Sequence, residues 1–197
     1  MLRTVHTAAV LLSASLIAMG VSACGPDTAS VSTSAKADSA SSGSNGSGNS
    51  KAAPSKKKAA AKVGDTISLK GMDHSSSADV TVVKVVTKAQ GADEFSEPES
   101  GKRFVAVQFK IKNTGSKAYS DSPFNSAKVV DTEGQGFDPS LSESNAGPAF
   151  PGDVNIAKGG TAKGFITFEV PKKAKIDKVQ FTLDSGFADQ TGQWNVR

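Results

Sequence analysis

Lys102-Arg103-Phe104-Val105-Ala106-Val107-Gln108-Phe109-Lys110-Ile111-Lys112-Asn113 decides the fold of this chain. Val105, Val107, Phe109 and Ile111 recur at every second position, with Gln108, Lys110 and Lys112 between them. A period of two sends the apolar set to one face of a strand and the polar set to the other. Asn113-Thr114-Gly115 then ends the strand with turn residues.

The same pattern continues on both sides. Thr66-Ile67-Ser68-Leu69 alternates and stops at Gly71, and Ala78 to Ala89 carries Val80, Val82, Val83, Val85 and Val86. The lost alternation at Val82-Val83 predicts a bulge or burial of both faces. Phe124 to Asp131 is predicted as a strand, with Glu133-Gly134-Gln135-Gly136 a turn into Phe137. Gly164 to Val170 alternates through Ile166, Phe168 and Val170. Ile176 to Leu183 groups Val179, Phe181 and Leu183, and Gln193-Trp194-Asn195-Val196 closes the chain. Seven or eight short antiparallel strands without useful helical periodicity predict an all-β sandwich of two sheets. Trp194 is expected to plug the core or cover an edge. A cysteine pair of the immunoglobulin kind is absent, so the core must hold by packing alone.

Ahead of the strands the chain changes character. Arg3 precedes an apolar run from Val5 to Met19, followed by Val21-Ser22-Ala23-Cys24. This is the layout of a secretory signal, and the run falls short of the roughly 20 apolar residues a membrane span needs. Cys24 is the sole cysteine. The pattern Val-small-small-Cys resembles the bacterial lipoprotein signal, which implies cleavage after Ala23 and a diacylglyceryl group on the Cys24 sulfur. Ordinary secretory cleavage leaving a free thiol is the alternative. Two acyl chains, palmitate among them, give a stable anchor where one chain holds only marginally.

Gly25 to Lys62 is nearly all Ser, Ala, Gly, Thr, Asn and Lys, with no aromatic residue. Such a segment cannot bury enough apolar surface to offset the entropy of ordering it. It reads as a disordered tether with a root-mean-square reach of about 34 Å. The domain boundaries follow: signal peptide 1–23, lipidated Cys24 and spacer 24–62, and a sandwich over 63–197.

Charge excludes one class of partner. Lys62 to Arg197 holds 17 basic and 17 acidic side chains, so the net +4 resides in the preceding segment. A neutral domain without basic stripes lacks the electrostatic footprint of nucleic-acid binding. The run Lys56-Lys57-Lys58 serves either anionic headgroups and wall polymers or simply the solubility of the linker.

Catalytic and metal chemistry finds little purchase. His74 is the one histidine beyond the signal, and its neighbours Asp73 and Ser75 point away from it on an extended chain, so the three form no relay. Zinc needs several Cys or His ligands. Asp131-Thr132-Glu133-Gly134-Gln135-Gly136 spaces oxygens as a calcium loop does, with Asp131, Glu133 and Asp138 as candidate ligands. Ser142 stands where the closing glutamate belongs, however, and a hairpin turn is the simpler reading. Two long stretches, Ala89 to Ser100 with its acidic run Asp93, Glu94, Glu97 and Glu99, and Asp138 to Asp153, are the candidate binding loops. Phe150, between Pro148 and Pro151, is either an exposed anchor or packs beneath its own loop.

Val105 to Ala118, the Asp131-to-Phe137 turn and the stretch from Pro151 to Phe181 together resemble the bacterial family called domain of unknown function 4352. Membership implies an immunoglobulin-like β-sandwich related in fold to a secreted mycobacterial immunogenic antigen, and implies export, but no catalytic residue. The expectation is a lipid-anchored protein on the extracytoplasmic face of the cell membrane. It is expected to bind an envelope protein, wall polymer or small ligand, without catalysis, cofactor or metal. A hydrolase of envelope polymers using a carboxylate pair, and a passive immunogenic surface protein, are the alternatives.

Overall fold

The computed structural model describes residues 32–34, 60–73 and 75–197. Cys24, His74 and most of the predicted spacer, Lys56 to Lys58 included, lie outside the described residues. In chain order the strands are β1 (Ser32–Ser34), β2 (Ala61–Lys62), β3 (Thr66–Lys70), β4 (Ser77–Ala89), β5 (Lys102–Asn113) and β6 (Tyr119–Asp121). One helical turn, α1 (Pro123–Ser126), precedes β7 (Ala127–Asp131), β8 (Gly136–Phe137), β9 (Val154–Ile156), β10 (Thr161–Pro171), β11 (Ile176–Thr182) and β12 (Thr191–Asn195).

The first sheet runs β1-β3-β4-β5-β10, the second β2-β12-β11-β7-β8, and β6 pairs with β9 alone. All pairs are antiparallel except β2 beside β12. The strand over Lys102–Asn113 has the bounds its alternation predicts. Val105, Val107, Phe109 and Ile111 are fully buried, and meet Val129, Val179 and Phe181 of the facing sheet in one cluster. The Phe109 and Phe181 rings lie 5.2 Å apart at 51°, in the tilted range aromatic pairs favour. Trp194 is fully buried in this layer, and its indole N–H donates to the Asp65 carbonyl at 2.9 Å. It is a core plug.

The broken alternation in β4 resolves as a bulge: the register with β5 shifts between Val82 and Lys84, leaving Val83 extra and exposed. That slip returns Val85 to the core side opposite Val107.

One expectation needs correction. Phe124 to Ser126 is not strand but the body of α1, because Pro123 at the first turn sets a helical φ. The Asn125 N–H donates to the Ser122 carbonyl at 3.0 Å and closes that turn. Ala61 and Lys62, which composition assigns to the spacer, pair with Trp194 and Asn195. Three further residues that composition assigns to the spacer, Ser32–Ser34, pair with β3 at the sheet edge.

Candidate functional site

The two loops singled out in the sequence meet. Gly91 bridges Ser144, the Ala92 N–H donates to the Glu143 carbonyl at 3.1 Å, and the Asn145 N–H donates to the Gln90 carbonyl at 3.0 Å. The second loop is also laced to β10. Ser140 N–H donates to the Thr167 carbonyl at 2.8 Å, and Phe150 N–H to the Phe165 carbonyl at 3.0 Å. Phe165 N–H donates to the Pro148 carbonyl at 2.9 Å, and the Thr167 hydroxyl donates to Ser144 Oγ at 3.1 Å.

These bonds explain why β5 and β10 are buried on both faces. Phe104 and Ala106 sit opposite the core side of β5, in register with Glu169 and Thr167. They are nonetheless fully buried, and Phe165 nearly so. Gly147 makes the close approach feasible: its φ is +145°, and a Cβ there would stand 2.7 Å from the Phe165 ring. Phe150 is half-buried and packs against the core cluster, so it lies back under its own loop.

Between this loop, α1 and β10 lies a pocket of about 250 Å³. Phe124, Leu141, Phe150 and Phe165 supply its apolar wall, with the hydroxyls of Ser140 and Ser142 and the exposed Glu143 carboxylate at its margin. Leu141 is 91% exposed. On the other flank of Phe124 a second hollow is lined by Ala127, Pro139 and Phe187, and Phe187 is 77% exposed. Isolated apolar residues on a surface are ordinary; two large exposed ones flanking a shared aromatic form a contiguous patch of the kind that marks binding. An apolar wall with few polar groups can hold an aliphatic or aromatic group and orient it by its rim.

Beside the patch lies a polar cluster that sequence reasoning missed. Asp121 is 8% exposed. Its Oδ1 accepts from the Ser122 N–H at 2.8 Å and the Ser185 hydroxyl at 2.7 Å, and its Oδ2 from the Ser126 hydroxyl at 3.2 Å and the Tyr119 hydroxyl. Burial, then the hydrogen bond to Asp121, pushes the Tyr119 phenol far above its ordinary value. Asp184 and Ser185 hold positive φ of 55° and 54°, a region residues with a Cβ seldom enter. The Asp184 carboxylate accepts from the Met72 N–H at 2.5 Å, and with the Ser185 hydroxyl it pins that turn. The one sequence signal was the turn composition of Ser120-Asp121-Ser122-Pro123; nothing in spacing links it to Ser185.

The calcium-loop candidate is otherwise engaged. Asp131 Oδ1 accepts from the backbone N–H groups of Glu133 and Gln135, both at 2.9 Å. Asp138 faces Lys128 at 3.1 Å. Gly134 takes φ +85°, so the segment is a hairpin turn between β7 and β8. Among the described residues no group of three or more His, Cys, Asp or Glu side chains is placed to hold a metal. The acidic run of the first loop is surface: Glu99 pairs with Lys102 at 2.7 Å, and its N–H donates to the Glu169 carboxylate at 2.7 Å. Asp93 accepts from Phe95 N–H at 3.0 Å.

The geometry defines an antiparallel β-sandwich with a loop-capped face and an apolar pocket beside the helical turn α1. Residues 62–192 match the family described as domain of unknown function DUF4352, and the chain belongs to that family. Among solved structures it is similar to MPT63, a secreted protein of Mycobacterium tuberculosis, at 16% identity and a TM-score of 0.51. That match covers 69% of this chain and 95% of the other. It is also similar to ycdA of Bacillus subtilis, a presumed lipoprotein, at 14% identity and a TM-score of 0.50, over 69% of this chain and 38% of that one. At such identities the likeness concerns the fold. No curated protein matches the chain.

Proposed function

We propose that this protein is a lipid-anchored binding module on the extracytoplasmic face of the cell membrane. Cys24 carries the anchor, and the sandwich receives an apolar group of an envelope partner, without catalysing a reaction on it. The pocket walled by Phe124, Leu141, Phe150 and Phe165 carries this reading. At about 250 Å³ it is smaller than the roughly 300–1,000 Å³ typical of sites that enclose a whole small molecule. It suits a single anchoring side chain or a short aliphatic branch, the arrangement in which a few buried contacts dominate an interface. The Val21-to-Cys24 pattern, together with the secreted and presumed-lipoprotein character of the two similar proteins, supports an extracytoplasmic place.

Binding is favoured over hydrolysis by how the nearby carboxylates are used. Asp121, Asp153 and Asp184 surround an open hollow, but Asp121 accepts four hydrogen bonds and Asp184 holds the Met72 amide. Asp121 and Asp184, so occupied, maintain a structure, and Asp153 alone makes no carboxylate pair.

A photo-activatable residue at Ser142 in intact cells tests the reading. One discrete adduct is expected, weakened tenfold or more by Leu141→Asp, because about 1.5–3 kcal/mol of apolar burial is at stake. An adduct indifferent to Leu141→Asp would move the site elsewhere. Capture of nothing beyond abundant neighbours would leave a passive surface protein. Cys24→Ala should abolish the adduct if the partner lies near the membrane.

A further inference from the structure

The two edges of the first sheet are covered in different ways. At β10 the Ser140 and Phe150 amides close the edge through a loop belonging to the domain. At β3 the cover is β1, in antiparallel register: Ser32 opposite Ser68, Thr33 opposite Ile67 and Ser34 opposite Thr66. An edge strand presents a row of unpaired N–H and C=O groups that templates another strand. Here the occupant comes from the tether, between Cys24 and the domain.

The consequence is geometric. Ser32 follows Cys24 by 8 residues, which span at most about 28 Å when fully extended. With β1 released, 37 residues separate Cys24 from Ala61, a chain length whose upper bound is about 130 Å. We infer that the β3 edge is a docking surface for the tether's own Ser32–Ser34, and that docking holds the sandwich close to the membrane while release lets it range outward. This rests on the lipid-anchor reading of Cys24.

The strap is built to exchange. Three residues supply few ladder bonds, each with a small net contribution, against the ordering entropy of the same residues. Attachment within one chain keeps the segment at high effective concentration near the edge. Neighbouring amides of a strand point to opposite sides, so of Ser32→Pro and Thr33→Pro one removes a ladder donor while leaving the sandwich untouched.

Hydrogen exchange on the full mature chain carrying Cys24→Ser reads docking without any lipid. The outward β3 amides within Thr66–Lys70 should exchange severalfold faster in one of the two proline variants than in a Ser41→Pro control. Equal exchange in all three overturns the strap. In parallel, the lipidated chain on liposomes, with a dye at Val83 and an acceptor in the bilayer, should show lower energy transfer for that same variant. Faster exchange with unchanged transfer would overturn the distance role alone. Absence of acyl chains on purified Cys24 would overturn the anchor reading and leave the exchange result standing.

Discussion

Tyr119 is the sole tyrosine in the chain, which makes its environment directly readable. Its hydroxyl donates to buried Asp121, and burial first, then that carboxylate, pushes its titration upward from 10.0. The folded state therefore holds the phenol protonated at pH values where the unfolded chain releases it. Stability from this term is complete below pH about 10 and falls as pH rises above it, because the unfolded chain gains by ionising. Absorbance of tyrosinate near 295 nm should stay absent on alkaline titration until the domain unfolds. Tyr119→Phe should show a shallower loss of melting temperature between pH 9 and 11.5 than the parent. A reversible tyrosinate signal from folded protein near pH 10 would contradict the burial. Removing the other partner is harsher: Asp121→Ala strands the hydroxyls of Tyr119, Ser126 and Ser185 in a buried site and should cost about 2–3 kcal/mol by urea denaturation. None of this was legible in the sequence. Ser185 lies 64 positions from Asp121, and no local pattern announces such a meeting.

At the scale of elements, legibility followed length. Lys102–Asn113 could be read to the residue, since Val105, Val107, Phe109 and Ile111 alternate along it up to the Asn113 turn signal, and the Val82-Val83 anomaly located a real bulge. The three-residue β6 and β9 escaped, because Tyr119–Asp121 and Val154–Ile156 are too short to show a period and exist through pairing with each other. Pro123 should have warned against a strand there; its fixed φ initiates the turn instead. The two candidate loops are separate stretches in the sequence, and their union through Gly91 and Ser144 is tertiary. Gly147 is where that loop is most exposed to mutation. With φ +145° and the Phe165 ring in the path of any Cβ, Gly147→Ala should cost about 1–3 kcal/mol. It should also reduce cross-linking from Ser142, while Gly152→Ala, which meets open space, should change neither. The Asp131 turn yields a contrasting expectation. Its carboxylate already caps two amides, so millimolar calcium should leave the melting temperature unchanged, whereas Asp131→Ala should lower it with or without calcium. A calcium-dependent rise lost in that variant would restore the metal reading.

For the whole molecule the boundary between tether and sandwich is itself an energetic question. Composition places it after Lys62, where the Ser, Ala and Lys run gives way to Val63-Gly64-Asp65. The parallel pairing of Ala61 with Trp194 and Lys62 with Asn195 moves it two residues earlier. Ala61 is 5% exposed and belongs to the core cluster, and the turn that follows is closed by the Lys62 N–H on the Asp65 carboxylate at 2.9 Å. The Asp65 carbonyl in turn receives the Trp194 indole N–H. Truncation before Val63 therefore uncovers the edge of β12 beside the largest buried side chain and loosens the turn that satisfies its one polar atom. Two fragments, Ala60–Arg197 and Val63–Arg197, both lack β1 and differ only here. The shorter should melt lower by about 4 °C, as a loss near 1 kcal/mol shifts a domain of this size, with Trp194 emission moved to the red. Equal melting and emission would return the boundary to Val63 and make β2 an accessory of the tether.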